Sequence, residues 1–453
     1  MDKSQEKLKR VYGGLQPSSI IAIAFLVAII IGSILLVLPV AHKDGVSVSY
    51  IDALFMAASS TCVAGLSTLE DGVFASFSTF GYVVIAILIQ IGGLGVTSLG
   101  VAFVFAINRV SFRSNLLAKD SLNLTTQIDL RKIFVPMLLI TAGCELVGGL
   151  VNMISLICIN AMDPLTAFGV GLFQAISAFN NCGLDILSAT SMIDYSIGGA
   201  SSNIVLLISS MILTIIGGLG FLVIIDVFAM KFHWKRFGLQ TKVVLSMALL
   251  LIVLGTLLIF LTSWSNGSFT MSFWDAFFIS IEARSAGMTS IDMSTISVGS
   301  QAIIMILMFI GAGPGGTGGG IKTTTIVVLF AHTISEIRGN HPHVFKRTIK
   351  DETVRKALFA FFVFIVFLLL FSVILALCDG QKCDYFSYLF ETVSAFGTVG
   401  FSLGITSSLT IPAKVVLVLT MYVGRVGPLS ISTIWKGNSS QTWKYAEEDI
   451  AIG

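Results

Sequence analysis

The chain has 453 residues, of which 55% are hydrophobic and 11% charged, with a formal net charge of +2. A soluble domain carries about a quarter charged residues, so this composition excludes a water-soluble protein and leaves almost nothing for a soluble domain. No nucleic-acid partner is expected. Apolar runs such as 20–40, 205–230 and 357–377 reach the roughly 20 residues that a spanning helix needs. In chain order the pattern predicts eight spans, near residues 19–40, 77–107, 133–160, 203–230, 240–262, 297–337, 356–378 and 410–436. The first run is too long for a signal-peptide core and no small-residue cleavage site follows it, so it is read as an uncleaved span.

Basic residues cluster on one side of these spans. Lys3, Lys7, Lys9 and Arg10 precede the first span, and Arg109, Arg113, Lys119, Arg131 and Lys132 follow the second. Lys231, Lys235, Arg236 and Lys242 follow the fourth, and Arg338, Lys346, Arg347, Lys350, Arg355 and Lys356 the sixth. Lys436 and Lys444 follow the eighth. Opposite lie Lys43, Lys382 and Lys414, while Arg284, Lys322 and Arg425 fall within the membrane region. The bias predicts a multi-pass protein of the plasma membrane with both termini in the cytoplasm. The six cysteines show no metal spacing. Cys378 and Cys383 flank an external turn, either as a disulfide or as two free thiols.

Between each odd-numbered span and the next lies a short amphipathic stretch that ends in glycine. Four windows of twelve residues align on it: Leu54–Gly65, Leu172–Gly183, Ala276–Gly287 and Leu389–Gly400. Phe55, Phe173, Phe277 and Phe390 share the second position, and the glycines are 118, 104 and 113 residues apart. The windows are too short to span and enter from outside. Non-helical backbone at membrane depth is tolerated only where protein buries it or it lines a wet cavity. Four loops meeting on one axis satisfy that. The predicted fold is therefore an all-α integral membrane protein of four helix–pore-helix–helix repeats around a pseudo-fourfold ion pore. Its parts are a cytoplasmic N-terminus (1–18), repeats at 19–107, 108–230, 231–340 and 341–436, and a cytoplasmic tail (437–453).

The candidate ion-binding segments are Thr61-Cys62-Val63-Ala64-Gly65, Asn180-Asn181-Cys182-Gly183, Arg284-Ser285-Ala286-Gly287 and Gly397-Thr398-Val399-Gly400. Glycine is needed where the chain takes positive φ so that carbonyls point at one axis, and a ring of carbonyls replaces the hydration shell of K⁺. Only the fourth segment approaches the Thr-Val-Gly-Tyr-Gly pattern of potassium channels. Weaker K⁺/Na⁺ discrimination than in those channels is expected.

A second repeat lies in the inner spans: Gly92-Gly93-Leu94-Gly95, Gly217-Gly218-Leu219-Gly220, Gly311-Ala312-Gly313 and Gly424-Arg425-Val426-Gly427. It sets Arg425 level with Gly93, Gly218 and Ala312. Arg425 is read either as an electrostatic barrier beneath the filter or as a brace paired with Asp226 or Glu391. The sixth span is interrupted by Gly311, Ala312, Gly313, Pro314, Gly315, Gly316, Thr317, Gly318, Gly319 and Gly320, which cannot hold a helix. The dinucleotide-like spacing of Gly311, Gly313 and Gly316 lacks a βαβ unit, and Gly320-Ile321-Lys322-Thr323 is no phosphate loop. The segment is read as a flexible loop that can occlude the pore. Glu282, Arg284 and Glu391 are expected to brace the filter by mutual pairing, and Glu145, Asp226 and Lys322 to pair or hydrogen-bond within the bundle.

Ser177-Ala178-Phe179-Asn180-Asn181, 311–323, Ser394 through Gly400 and Gly424-Arg425-Val426-Gly427-Pro428 resemble the Trk/Ktr/HKT superfamily of potassium transporters, most of all its Ktr branch. The resemblance covers nearly the whole chain, and the gate loop departs from it in its proline and many glycines. It implies that the four glycines carry K⁺ selectivity, that the glycine-rich loop gates and that the arginine obstructs. It also implies a homodimer whose tail joins the contact, a cytosolic KtrA-type ring of nucleotide-binding subunits, and stimulation by Na⁺. The basic cytoplasmic face suits such a ring or anionic membrane lipids. No cofactor is expected in the chain beyond the transported K⁺, and no nucleophile–base set or metal cluster suggests an enzyme. The alternatives are the potassium-binding subunit of an ATP-driven pump and a secondary solute transporter, which would place a polar site between inverted repeats.

Overall fold

The computed structural model describes residues 17–70, 72–106, 130–187, 191–195, 202–265, 268–269 and 271–427. The N-terminal lysines and Arg10, Arg109, Arg113, Lys119, Pro428, Lys436, Lys444 and the tail 437–453 lie outside the described residues. The first unit comprises α1 (Pro17–Val37), α2 (Tyr50–Cys62) and α3 (Thr79–Ala106). The second comprises α4 (Leu130–Asn160), α5 (Pro164–Phe179) and an inner pair, α6 (Ile204–Leu219) and α7 (Phe221–Ala229). The third comprises α8 (Leu239–Thr262), α9 (Phe273–Glu282), α10 (Val298–Phe309) and α11 (Thr323–Arg338). The fourth comprises α12 (Asp351–Asp379), α13 (Tyr385–Gly397) and α14 (Ile411–Val426). Strand pairing among the described residues amounts to two tiny hairpins, Trp264–Ser265 with Ser268–Phe269 and His343–Val344 with Arg347–Thr348.

The outer helices are apolar on every face. Leu146, Val147, Leu261, Phe362 and Leu377 stand more than half exposed on them, a surface that fits lipid and not water. Val135–Asn160, Leu239–Thr262 and Asp351–Asp379 are each long and apolar enough to cross a membrane unbroken.

The inner helices are different, and here the expectation of eight spans with one interruption needs correction. All four break at the inner motif, three at its last glycine and that of the third repeat just before its first. Gly95 leaves helical geometry (φ 69°, ψ −165°) inside α3. The α6 and α7 axes meet at 93° across Gly220 (φ 93°). Residues 310–322 separate α10 from α11, and α14 stops at Gly427 (φ 87°). In three repeats the breaking residue is the last glycine of the inner motif. Positive φ costs glycine nothing and ends the helical hydrogen-bond ladder.

The short helices α2, α5, α9 and α13 have 13, 16, 10 and 13 residues, and each starts before its twelve-residue window. Their caps explain the earlier start. Ser49 Oγ accepts from the Asp52 amide at 3.2 Å, and Ser272 Oγ from the Asp275 amide at 3.1 Å. Asp163 receives the Leu165 and Thr166 amides, with Pro164 in the first turn. The first and last repeats close on each other where α14 lies against α2. There Lys414 Nζ meets Asp52 Oδ1 at 2.9 Å, and Thr68 Oγ1 donates to the same oxygen at 2.7 Å. Cys378 and Cys383 are both free thiols.

Candidate functional site

The loops after α2, α5 and α13 share one turn. Val63 (φ 56°), Asn181 (φ 58°) and Thr398 (φ 51°) adopt the left-handed conformation. The next amide then reaches back along the helix: Ala64 to the Ser59 carbonyl at 2.7 Å, Cys182 to Ser177 at 2.9 Å and Val399 to Ser394 at 2.9 Å. This is the Schellman closure of a helix C-terminus. A valine and a threonine in that conformation store about 1–3 kcal/mol each.

The third loop is one residue shorter. The Glu282 carbonyl takes the amides of Ala286 at 2.9 Å and Gly287 at 3.0 Å, and Ser285 has φ 146°. Alignment on the glycines therefore slips by one inside α9. The counterpart of Phe55, Phe173 and Phe390 is Phe278, buried to 3% exposure, and the expected Phe277 is only half-buried.

The four glycines close a ring. All have positive φ: Gly65 75°, Gly183 81°, Gly287 72° and Gly400 109°. Each lies against the carbonyl before the next glycine in sequence: Gly65 against Cys182, Gly183 against Ala286, Gly287 against Val399, and Gly400 against Ala64. A Cβ on Gly400 would stand 2.8 Å from the Ala64 oxygen, and the other three would stand closer still. Thr61, Cys62, Val63, Ala64, Asn181, Cys182, Ser285, Ala286, Thr398 and Val399 are all buried around this ring.

Two candidate residues turn their side chains away from it. Asn180 Nδ2 donates to Gln90 Oε1 at 3.0 Å and Glu145 Oε1 at 2.9 Å, which ties the second loop to α3 and α4. Arg284 Nη1 donates to the Ala248 carbonyl of α8 at 3.2 Å.

The expected mutual pairing of Glu282, Arg284 and Glu391 is corrected. No ion pair joins them among the described residues, because each side chain faces a different element. Glu391 instead accepts from Ser402 Oγ at 2.6 Å, the Leu403 amide at 3.0 Å and Thr406 Oγ1 at 2.8 Å, pinning the chain that follows Gly400. Glu145 and Asp226 hydrogen-bond within the bundle as expected, Asp226 to Thr241 Oγ1 at 2.5 Å. Sequence reasoning passed over Gln90, whose signal was a lone amide in an apolar run. Ser177 and Ser394 open two of the segments that carry the family resemblance, whereas Ser59 carries no such signal.

Beneath the ring, residues 311–320 form a loop tied to its neighbours by hydrogen bonds. Gly313 and Thr317 amides donate to the Gly218 and Gly217 carbonyls at 2.9 and 3.2 Å. Thr317 Oγ1 donates to the Phe179 carbonyl at 3.2 Å, and the Gly319 amide to Thr398 Oγ1 at 2.9 Å. The loop thus holds the undersides of the second and fourth ring segments. Two cations grip it: Lys322 Nζ donates to the Gly318 carbonyl at 2.7 Å, and Arg425 Nη1 to the Thr317 carbonyl. Arg425 Nη2 donates to the Gly92 carbonyl of α3. Arg425 accordingly crosses from α14 to two other repeats and pairs with neither Asp226 nor Glu391.

The first glycine of three inner motifs lets the inner helix approach the end of a short helix, whereas Gly311 lies against the Gly319 carbonyl of the loop. Gly424 faces the Phe396 carbonyl at the end of α13, and an added Cβ would collide with it. Gly424→Ala is expected to destabilise the protein by about 1–3 kcal/mol, as overpacked cores do, read as a lower melting temperature in detergent. An unchanged melting temperature would refute the close approach.

Comparison with known proteins agrees with this architecture. Residues 14–445 match the family model TrkH, described as cation transport protein. The chain is 34% identical over 451 residues to the Ktr system potassium uptake protein B of Bacillus subtilis, covering 96% of this chain and 97% of that one. It is also 34% identical to the potassium/sodium uptake protein NtpJ of Enterococcus hirae, covering 98% and 99% of the two chains. The crystal structure of the potassium transporter TrkH from Vibrio parahaemolyticus superposes with a TM-score of 0.68 at 19% identity, over 92% of this chain and 85% of that one.

Proposed function

Because this chain belongs to the TrkH family of cation transport proteins, we propose that it takes up K⁺ across the plasma membrane through a carbonyl-lined filter. The observation that carries the reading is the closed cycle of Gly65, Gly183, Gly287 and Gly400, each against the carbonyl before the next. Carbonyl oxygens on one axis replace the water that a K⁺ ion sheds. The helices before the ring point their C-terminal, partly negative ends toward it, which favours a cation. The filter segments are 61–65, 180–183, 284–287 and 397–400. The loop 311–320 and Arg425 form the gate below. The repeats are assigned to 19–107, 108–230, 231–340 and 341–436, with both termini cytoplasmic.

The named relatives are ion transporters, and this chain is read as a transporter and not as an enzyme. The Ktr relatives are named as parts of a system, which supports a cytosolic regulatory ring that docks on the basic face and acts on the gate. A homodimer and stimulation by Na⁺ belong to the same reading. Growth of a K⁺-uptake-deficient bacterium at low K⁺ tests it. Rescue, stronger with a KtrA-type partner, is expected; failure of a membrane-inserted protein to rescue with or without that partner would overturn it. A requirement for an ATPase subunit would favour the pump reading.

The gate makes its own prediction. Deleting residues 314–317 removes the Thr317 contacts to Gly217, Phe179 and Arg425. Uptake of Rb⁺ into proteoliposomes is expected to rise about tenfold, the rate effect of a barrier lowered by about 1.4 kcal/mol. A folded deletion with unchanged uptake would reduce the loop to a helix break.

A further inference from the structure

Three of the four short helices place a serine at one position behind the ring. Ser59, Ser177 and Ser394 each offer their main-chain carbonyl to the amide just before the ring glycine. In the third repeat the same place is held by Glu282, whose carbonyl receives the Ala286 amide. The slip in α9 hides this equivalence from an alignment on glycines. Glu282 is fully buried. Its carboxylate faces the Thr214 hydroxyl and the Met288 amide, directly after Gly287. Neither carboxylate oxygen has a donor at hydrogen-bonding geometry, and Thr214 Oγ1 donates to the Ala178 carbonyl instead.

Among the described residues no ion pair involves it. Arg284 is two residues away but donates to Ala248 across in α8. The helices against α9 are α6, α8 and α10. Of these, α6 and α10 carry no ionisable side chain, and α8 carries only Lys242. Lys242 lies in the first turn of α8, whereas α9 touches α8 at Ile252, through Ser280 Oγ at 3.0 Å. A buried carboxylate without a partner is strongly destabilising unless it takes up a proton. A cation on the axis in front of the third ring segment would relieve it and hold it ionised.

We infer that Glu282 is the counter-charge of the filter, balanced by the transported cation and setting the affinity for it. One quadrant of the ring then carries a carboxylate where the other three carry hydroxyls. The inference rests on the filter reading above. It makes Glu282 an affinity-determining residue that acts through space without touching the ion.

The test compares the wild type with Glu282→Gln and Glu282→Ser, the second copying the other three repeats. Uptake is measured against K⁺ concentration in proteoliposomes, and melting temperature in detergent with K⁺ or with choline. Loss of one charge about 10 Å away at an effective dielectric of about 20 is expected to raise KM about tenfold. The melting shift produced by K⁺ should shrink correspondingly, while stability in choline is maintained or improved. Unchanged KM and unchanged K⁺-induced shift in a folded variant would overturn the inference. Lower stability in choline at unchanged KM would mark Glu282 as a structural brace and overturn it equally. A wild type with no K⁺ uptake and no K⁺-induced shift would instead overturn the filter reading itself.

Discussion

Gly183→Ser is expected to abolish the preference for K⁺ over Na⁺ and to lower K⁺ uptake about tenfold or more. Gly183 has φ 81°, and a Cβ there would run into the Ala286 carbonyl, with the Gly287 carbonyl carbon 3.2 Å away. A serine costs about 1–2 kcal/mol more than glycine in that backbone conformation. It must also push Ala286 outward, and the Ala286 oxygen belongs to the next segment of the ring. Displacing one carbonyl spoils the dehydration of K⁺, which needs several oxygens at once, more than that of an ion still partly hydrated. Every 1.4 kcal/mol lost at the site is a factor of ten. Competition between Rb⁺ and Na⁺ in proteoliposomes reads the effect. Gly143→Ser is the control, since a Cβ on Gly143 meets nothing within 4 Å. Wild-type selectivity in a folded Gly183→Ser protein would remove the ring from the mechanism.

Much of this arrangement is legible in the amino-acid sequence. Four glycines recurring between apolar runs need only local chemistry to be noticed, and the four-repeat architecture follows from their placement between spans. What the sequence hides is set by geometry that spacing does not encode. The third turn is one residue short, and because Gly287 still reaches the ring, alignment on glycine transfers the error backward to Phe277. Backbone hydrogen bonds expose the slip, and they make Phe278 the counterpart of Phe55, Phe173 and Phe390.

The breaks at Gly95, Gly220 and Gly427 are present in the sequence as the last letter of a motif. Apolar runs continue straight through them, so hydropathy alone reads a single span. The caps at Ser49 and Ser272 are readable, with an acid three residues on, but the windows are anchored at the other end. Side-chain partners are least legible. Asn180 reaches Gln90, 90 residues away, and Arg425 reaches Gly92, 333 residues away. Charges on neighbouring stretches of chain suggest the pairing of Arg284 with Glu282, yet α9 and the loop after it point them apart.

Arg425→Ala is expected to raise cation flux by up to about a hundredfold. The guanidinium stands beneath the ring and stays charged in any protein environment. A unit charge about 5 Å from a passing cation, at an effective dielectric of about 20, repels it by about 3 kcal/mol. That is about two factors of ten in rate. The substitution also removes the bonds to the Thr317 and Gly92 carbonyls, so the loop loses one of its two cationic grips, leaving Lys322 on Gly318. Arg425→Lys separates the two effects, because it keeps the charge but not the fork that reaches two carbonyls at once. If repulsion dominates, lysine keeps flux near wild type and alanine raises it. If tethering dominates, both raise it, and the 314–317 deletion adds nothing further to alanine, as expected of two changes that open one gate. Flux that stays level or falls in a folded Arg425→Ala protein would leave the arginine as a strut between repeats and move the barrier to the loop alone.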